Sequence, residues 1–246
     1  PSNFAFRGGW HGRLMRHIAK QAACILPVSQ MLEEAMKTCG IENNHWQRIY
    51  NVVDDFFYTT KRESPLLSGG RFRWLHVSCF DEKAKNVQGL LRAARAVARQ
   101  REDFELVLVG AGIDYQEVTA YAQSLDFPEG ILHFTGELTP NQVAEWMQAS
   151  DCFVLFSRYE NAPVVLSECL ATGLPVVSSN AGGIPEMIND TCGILVLSED
   201  ENALSQAMLR MMDHISDYPA SAIRPYGEKY TYEQVGAQLY QLYSSL

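Results

Sequence analysis

The chain has 246 residues, 47% of them apolar and 20% charged, with a formal net charge of −9 at neutral pH. That length fits one large domain or two of ordinary size, and the composition is that of a globular protein rather than a disordered one. The acidic balance argues against nucleic acid as the main partner.

The charge is uneven along the chain. Residues 1–30 carry Arg7, Arg13, Arg16 and Lys20 and no acid, so of the net −9 the remainder accounts for −13. The run FAFRGGWHGRLMRHIAK also holds Phe4, Phe6 and Trp10. It reads either as a solvated helix face or as a peripheral contact of residues 1–20 with an anionic membrane. After it, CILPVS (24–29) is expected to be a strand, followed by a helix over 30–39 that stops at Gly40. RIYNVV (48–53) is expected to be a second strand, and TTKRESPLLSGG (59–70) a linker.

A regular alternation then begins. Strands are expected at 74–80, 105–110, 131–136, 152–157, 175–179 and 193–197. Helices are expected at 86–100 and 114–125, then from Pro140, after Pro163, at Pro185 and after Ser198. Thr139, Pro140 and Gln142 form a capping box with proline at the first helical position. Ser198 with Glu201 is expected to cap the next-to-last helix, and a last helix begins near Thr231. The strand segments are continuous apolar runs rather than alternating ones, as in strands buried on both faces. Six such βα repeats predict an α/β fold with a doubly wound, Rossmann-like parallel sheet and right-handed crossovers. Ligands of such sheets bind beyond the carboxyl ends of the strands. Ser78–Lys85, Gly110–Gly112, Phe134–Gly136, Ser157–Glu160 and Asn180–Gly183 all fall there.

The densest cluster of candidates is YENAPVVLSECLATGLPVVSSNAGGIPEMI (159–188). A helix opening at Pro163 puts Val164, Val165 and Glu168 on one face. A carboxylate at Glu168 could accept two hydroxyls of a ribose, or could simply complement the helix dipole. Glu160, in the loop before that helix, could grip sugar hydroxyls or pair with Arg158. Backbone N–H groups around Ala162, Val164 and Val165 would face an anion at the helix start. Lys85 could meet a diphosphate as a point charge, with Lys83 a weaker rival. Gly182 and Gly183 form a turn that lets backbone approach a ligand. Ser78 is a further candidate contact, and Phe134 and Gly136 border a candidate base pocket. Gly110-Ala111-Gly112 is followed by Tyr115 where the dinucleotide fingerprint needs a small residue, which weakens a dehydrogenase reading. The six histidines show no metal-ligand spacing, so no metal is assigned. Six cysteines without a CxxC pair, and no apolar run near the ~18 residues of a membrane span, suggest a reduced, cytoplasmic protein.

Glu160, Glu168, Gly173, Pro175, Val176, Gly182, Gly183 and Glu186 stand in an order that resembles the donor-binding domain of retaining, family 4 glycosyltransferases (glycosyl transferases group 1) of the two-domain GT-B type. IYNVVD (49–54) resembles the crossing between the two domains, and FTGELTPNQVAEWMQASDCFVLFS (134–157) also matches in kind. The resemblance implies that residues 1–53 end an acceptor-side domain and 54–230 bind the donor. It implies that the helix 231–246 packs back on the first part. It implies a nucleotide-sugar donor, a glycan or lipid-linked acceptor, no cofactor or metal, and retention of anomeric configuration. Glu168 would hold the ribose, Glu160 would lie near the transferred sugar, and Lys85 with N–H groups near Val164 would stabilise the diphosphate. The family's arginine a few residues before the lysine is missing from Ser78-Cys79-Phe80. The short stretch before the hinge suggests a fragment whose apolar surface self-associates. Two other functions share this donor site: nucleotide-sugar binding without turnover, and a sugar-nucleotide epimerase.

Overall fold

In the computed structural model, which describes residues 9–59 and 70–245, the six apolar runs become six parallel strands. They are β1 (Phe72–Val77), β2 (Phe104–Val109), β3 (Leu132–Gly136), β4 (Cys152–Leu155), β5 (Val176–Ser179) and β6 (Gly193–Val196). Their order across the sheet is β3-β2-β1-β4-β5-β6. The chain winds outward from β1 to β3, then returns to the other side of β1 and winds outward again. The point where that direction reverses lies between β1 and β4, and it is there that doubly wound sheets open a ligand crevice.

Alternate residues of each strand feed two separate cores. Trp74, Leu106, Leu108, Cys152 and Val154 face one side, beneath α5 (Val87–Ala98), α6 (Tyr115–Ser124) and α9 (Glu201–Asp213). Leu75, Val107, Val109, Phe153 and Leu155 face the other. That side is covered by α3 (Phe56–Thr59), α7 (Pro140–Gln148) and α8 (Val164–Thr172). Burial on both faces is the reason the strands lack the polar alternation of a half-exposed sheet.

The predicted strands lie where expected to within three residues, with one consequence for the site. The first expected strand, 74–80, starts two residues earlier and ends at Val77, which leaves Ser78-Cys79-Phe80 as loop. The expected helix at 86–100 forms unbroken as α5, and a separate single turn, α4 (Glu82–Lys85), precedes it, with Asn86 between them in the left-handed region (φ 50°). The capping box on α7 forms as read. The cap of α9 is a correction: Asp200 accepts from Ala203 N at 2.8 Å, in place of Ser198, because the chain turns at Glu199 (φ 67°) before the helix begins.

The two strands expected before residue 54 do not form. CILPVS contributes one bridge, Ile25 to Trp46, and RIYNVV none. Pro27 has no N–H to offer a ladder. Ile49 N bonds Pro27 O at 3.2 Å, and Val53 N bonds Tyr230 O at 2.9 Å. Around them lie the amphipathic α1 (Gly9–Gln21) and α2 (Gln30–Thr38). The short helix α10 (Ala220–Ile223) and two 3₁₀ turns lead to α11 (Tyr232–Ser245). This returning segment is fastened to the crossing segment: Tyr58 OH donates to Gly227 O at 2.9 Å, and Tyr232 OH to Asp54 Oδ1 at 2.7 Å. The expected linker lies outside the described residues apart from its ends, Thr59 and Gly70, as do Phe4, Phe6 and Arg7.

Candidate functional site

The loops after β1 and β4 meet at the reversal point and bring Lys85 and Glu160 together. Lys85 Nζ donates to Glu160 Oε1 at 2.6 Å, and Ser157 Oγ donates to the same oxygen at 2.7 Å. The side chains are only 18% and 7% exposed, so this is a largely desolvated ion pair. Lys83, the rival, is exposed. Arg158 does not pair with Glu160. Its guanidinium donates to Glu82 O at 2.5 Å and Asn86 Oδ1 at 2.6 Å, and it also pairs with Glu199. Its backbone N–H bonds Ala84 O at 2.8 Å. Arg158 thus clamps the α4 turn that carries Lys85, a positioning role that the sequence did not reveal.

Beneath this pair lies a second feature the sequence left unread. His76 on β1 is fully buried, and its imidazole is pushed down to about 4, by burial above all and by the Lys85 charge as a smaller contribution. It is therefore neutral at physiological pH. Its Nδ1 lies 2.9 Å from Val154 O, which can only accept, so the ring proton sits on Nδ1. Nε2 must then accept from Ser78 Oγ at 2.8 Å. The Ser78 proton is thereby engaged, and the hydroxyl oxygen is left as an acceptor.

The helix α8 begins at Val164 after Pro163, and no side chain caps it. Its first turn holds no acid, so the helix start keeps its attraction for an anion. Val164 is exposed, Val165 packs partly into the core, and Glu168 is mostly buried one turn on. Burial pushes the Glu168 carboxyl up to about 7, helped by the charge of Asp54.

The Gly182-Gly183 turn is close to backbone, but the backbone is the chain's own. A Cβ on Gly182 (φ 57°) would sit 1.7 Å from Glu160 O, and one on Gly183 would sit 2.0 Å from Asn161 O. Gly110 does the same against Ser78 O, at 2.0 Å. These glycines let the loops at the strand ends stack on one another. Gly136 differs: nothing lies within 4 Å of its Cβ position, so the space beside it is open. Phe134 packs against Phe80 and Tyr115, with ring centroids 6.3 and 6.2 Å away. Among the described residues no group of three His, Cys, Asp or Glu is placed to hold a metal ion, and no helix is long and apolar enough to cross a membrane.

A doubly wound parallel sheet with its candidate ligand crevice at the reversal point defines a Rossmann-like unit. Residues 71–214 match the profile of the glycosyl transferases group 1 family, and the chain belongs to that family. It is 28% identical over 207 residues to N-acetyl-alpha-D-glucosaminyl L-malate synthase of Bacillus anthracis, a match covering 81% of this chain and 53% of that protein. It is 33% identical over 153 residues to the amylovoran biosynthesis glycosyltransferase AmsK of Erwinia amylovora, covering 59% and 37%. The structure of Anabaena Alr3699/HepE in complex with UDP superposes with a TM-score of 0.86 at 21% identity, over 100% of this chain and 70% of that one. The chain spans about half the length or less of the two curated relatives named here.

Proposed function

We propose that this chain is the nucleotide-sugar-binding half of a retaining glycosyltransferase, acting on a glycan or lipid-linked acceptor. The observation that carries the reading is the Lys85–Glu160 pair at the sheet's reversal point, 2.6 Å apart, next to the uncapped start of α8. Residues 54–230 form the donor unit, 1–53 end the acceptor-side domain, and the helix 231–246 packs back toward that first part. Glu168 takes the ribose hydroxyls, while Phe134 and Gly136 border the base. Ser78, through its free lone pairs, suits a hydroxyl of the donor better than a phosphate oxygen. Gly182 and Gly183 hold the Glu160 loop against the donor.

In the reaction the bond from the anomeric carbon to the diphosphate breaks, and a bond to the acceptor oxygen forms on the same face. The acceptor proton passes to the departing phosphate oxygen. Charge develops on the diphosphate, where Lys85 and the N–H groups of Val164 and Val165 oppose it without a metal. With no arginine at 78–80, Lys85 is the cation assigned to this task. Peripheral contact of residues 1–20 with the inner face of an anionic membrane is part of the same proposal, supported by the exposed apolar residues Trp10, Leu14 and Ile18 beside Arg13 and Arg16 on α1.

A thermal-shift titration with UDP, GDP and ADP tests the reading. One nucleotide at about 100 times its dissociation constant is expected to stabilise the chain by roughly 2.7 kcal/mol. Lys85→Met should weaken that shift. No shift with any of the three would refute the donor site in this chain, and a shift without turnover on any acceptor would favour a binding module.

A further inference from the structure

Glu186 closes the family motif in sequence, yet it does not join the Lys85–Glu160 pair. Its carboxylate reaches 155 residues back along the chain. Oε1 accepts from Met31 N at 2.8 Å, and Oε2 accepts from Gln30 N at 2.7 Å. These are the first two N–H groups of α2, and Ser29 Oγ accepts the third, from Leu32 N at 3.2 Å. A carboxylate at a helix start is favoured both by the orphan N–H groups and by the dipole. Here it arrives from a different part of the molecule and ties the two parts together.

The tie passes through the glycine turn. Ser29 is only 2% exposed. A Cβ on Gly183 would lie 3.0 Å from Ser29 Cβ, and one on Gly182 would lie 3.0 Å from Met31 Cε. The same two Cβ positions would lie 1.7 Å from Glu160 O and 2.0 Å from Asn161 O. The start of α2, the glycine turn and the Glu160 loop therefore converge on the same spot. Within the turn, Glu186 N bonds Gly183 O at 3.1 Å, which links the residue that carries the carboxylate directly to the glycines.

We propose that Glu186 is a positioning residue: it fastens α2 onto the Gly182-Gly183 turn and so fixes the loop that presents Glu160. On this view residues 29–38 act as the outer support of the donor site. The part of the inference that concerns function rests on the sugar-facing role proposed for Glu160, whereas the mechanical coupling does not.

Hydrogen–deuterium exchange on the whole chain, without ligand, tests the coupling in Glu186→Ala and Glu186→Gln. Losing a charge-assisted bond should speed exchange at Gln30 and Met31 about tenfold in Glu186→Ala. The expected signature is that peptides covering 157–162 and 180–186 speed up as well, while β1 and β2 keep their protection. Glu186→Gln, which retains an acceptor, should fall in between. Acceleration confined to residues 29–34 would overturn the proposal and leave Glu186 as a local cap. If Glu186→Ala loses protection throughout, the milder Glu186→Gln decides the matter by the same comparison. Failure of the wild-type chain to bind UDP, GDP or ADP would sink the donor reading, and the exchange pattern would still decide the coupling.

Discussion

Replacing Glu168 by glutamine should stabilise the ligand-free protein while weakening nucleotide binding. The carboxyl titrates at about 7 in the fold, against 4.5 when free, because burial and then Asp54 disfavour its charge. A raised carboxyl pKa means that the folded state holds the proton longer than the unfolded one. Stability is therefore fully present below pH 4.5 and is lost as pH rises through 7. At 1.36 kcal/mol per unit, the ionised carboxylate costs about 3 kcal/mol above pH 7 as an upper bound, and about 2 kcal/mol once its partial exposure is allowed for. Glu168→Gln removes that cost at pH 8 and changes little at pH 5. For a chain of this size the gain is about 4–8 °C in Tm. Differential scanning fluorimetry at the two pH values, with and without nucleotide, reads both halves. An equal Tm change at pH 5 and pH 8, or a loss at pH 8, would refute the argument. Such a result would mean that Glu168 is solvated or already paired.

Other outcomes follow from the same geometry. Lys85→Met leaves Glu160 charged and nearly buried with Ser157 as its one remaining side-chain partner among the described residues, so a loss of about 3 kcal/mol is expected, and adding Glu160→Gln should recover much of it in chemical denaturation. Gly182→Ala should cost more than about 2 kcal/mol because of the collision with Glu160 O, whereas Gly136→Ala, with open space around it, should cost only the ~1–2 kcal/mol of left-handed strain. Equal losses would undo that reading of the turn. His76 titrates near 4, below its free value of 6.5, so it contributes stability above pH 6.5 that is lost as pH falls toward 4. A His76→Gln protein should lack that acid-side loss, and urea midpoints between pH 4 and 7 measure it. Trp10 and Ile18 are 66% and 51% exposed on α1, so sedimentation velocity should show concentration-dependent self-association that Trp10→Glu with Ile18→Glu abolishes.

Much of the donor unit was legible from residue order alone. Continuous runs such as ELVLV and CFVLF can be satisfied only by burial on both faces, which forces a parallel sheet and a ligand edge at its carboxyl ends. Local chemistry fixed the Thr139 cap of α7 and the start of α8 at Pro163, because those signals act within one helical turn. The runs at 24–29 and 48–53 look like strands in sequence but form none, since short apolar runs have the same appearance whether or not a sheet has an edge to receive them. Ser198 reads as the cap of α9 and Asp200 is the cap, because the turn at Glu199 leaves no trace in composition. Tertiary structure alone decided which charges meet. Glu160 faces Lys85 rather than its neighbour Arg158, Glu168 feels Asp54, and Glu186 caps a helix 155 residues away. Those choices depend on strand order, and strand order is set by long-range pairing that no local window of sequence contains.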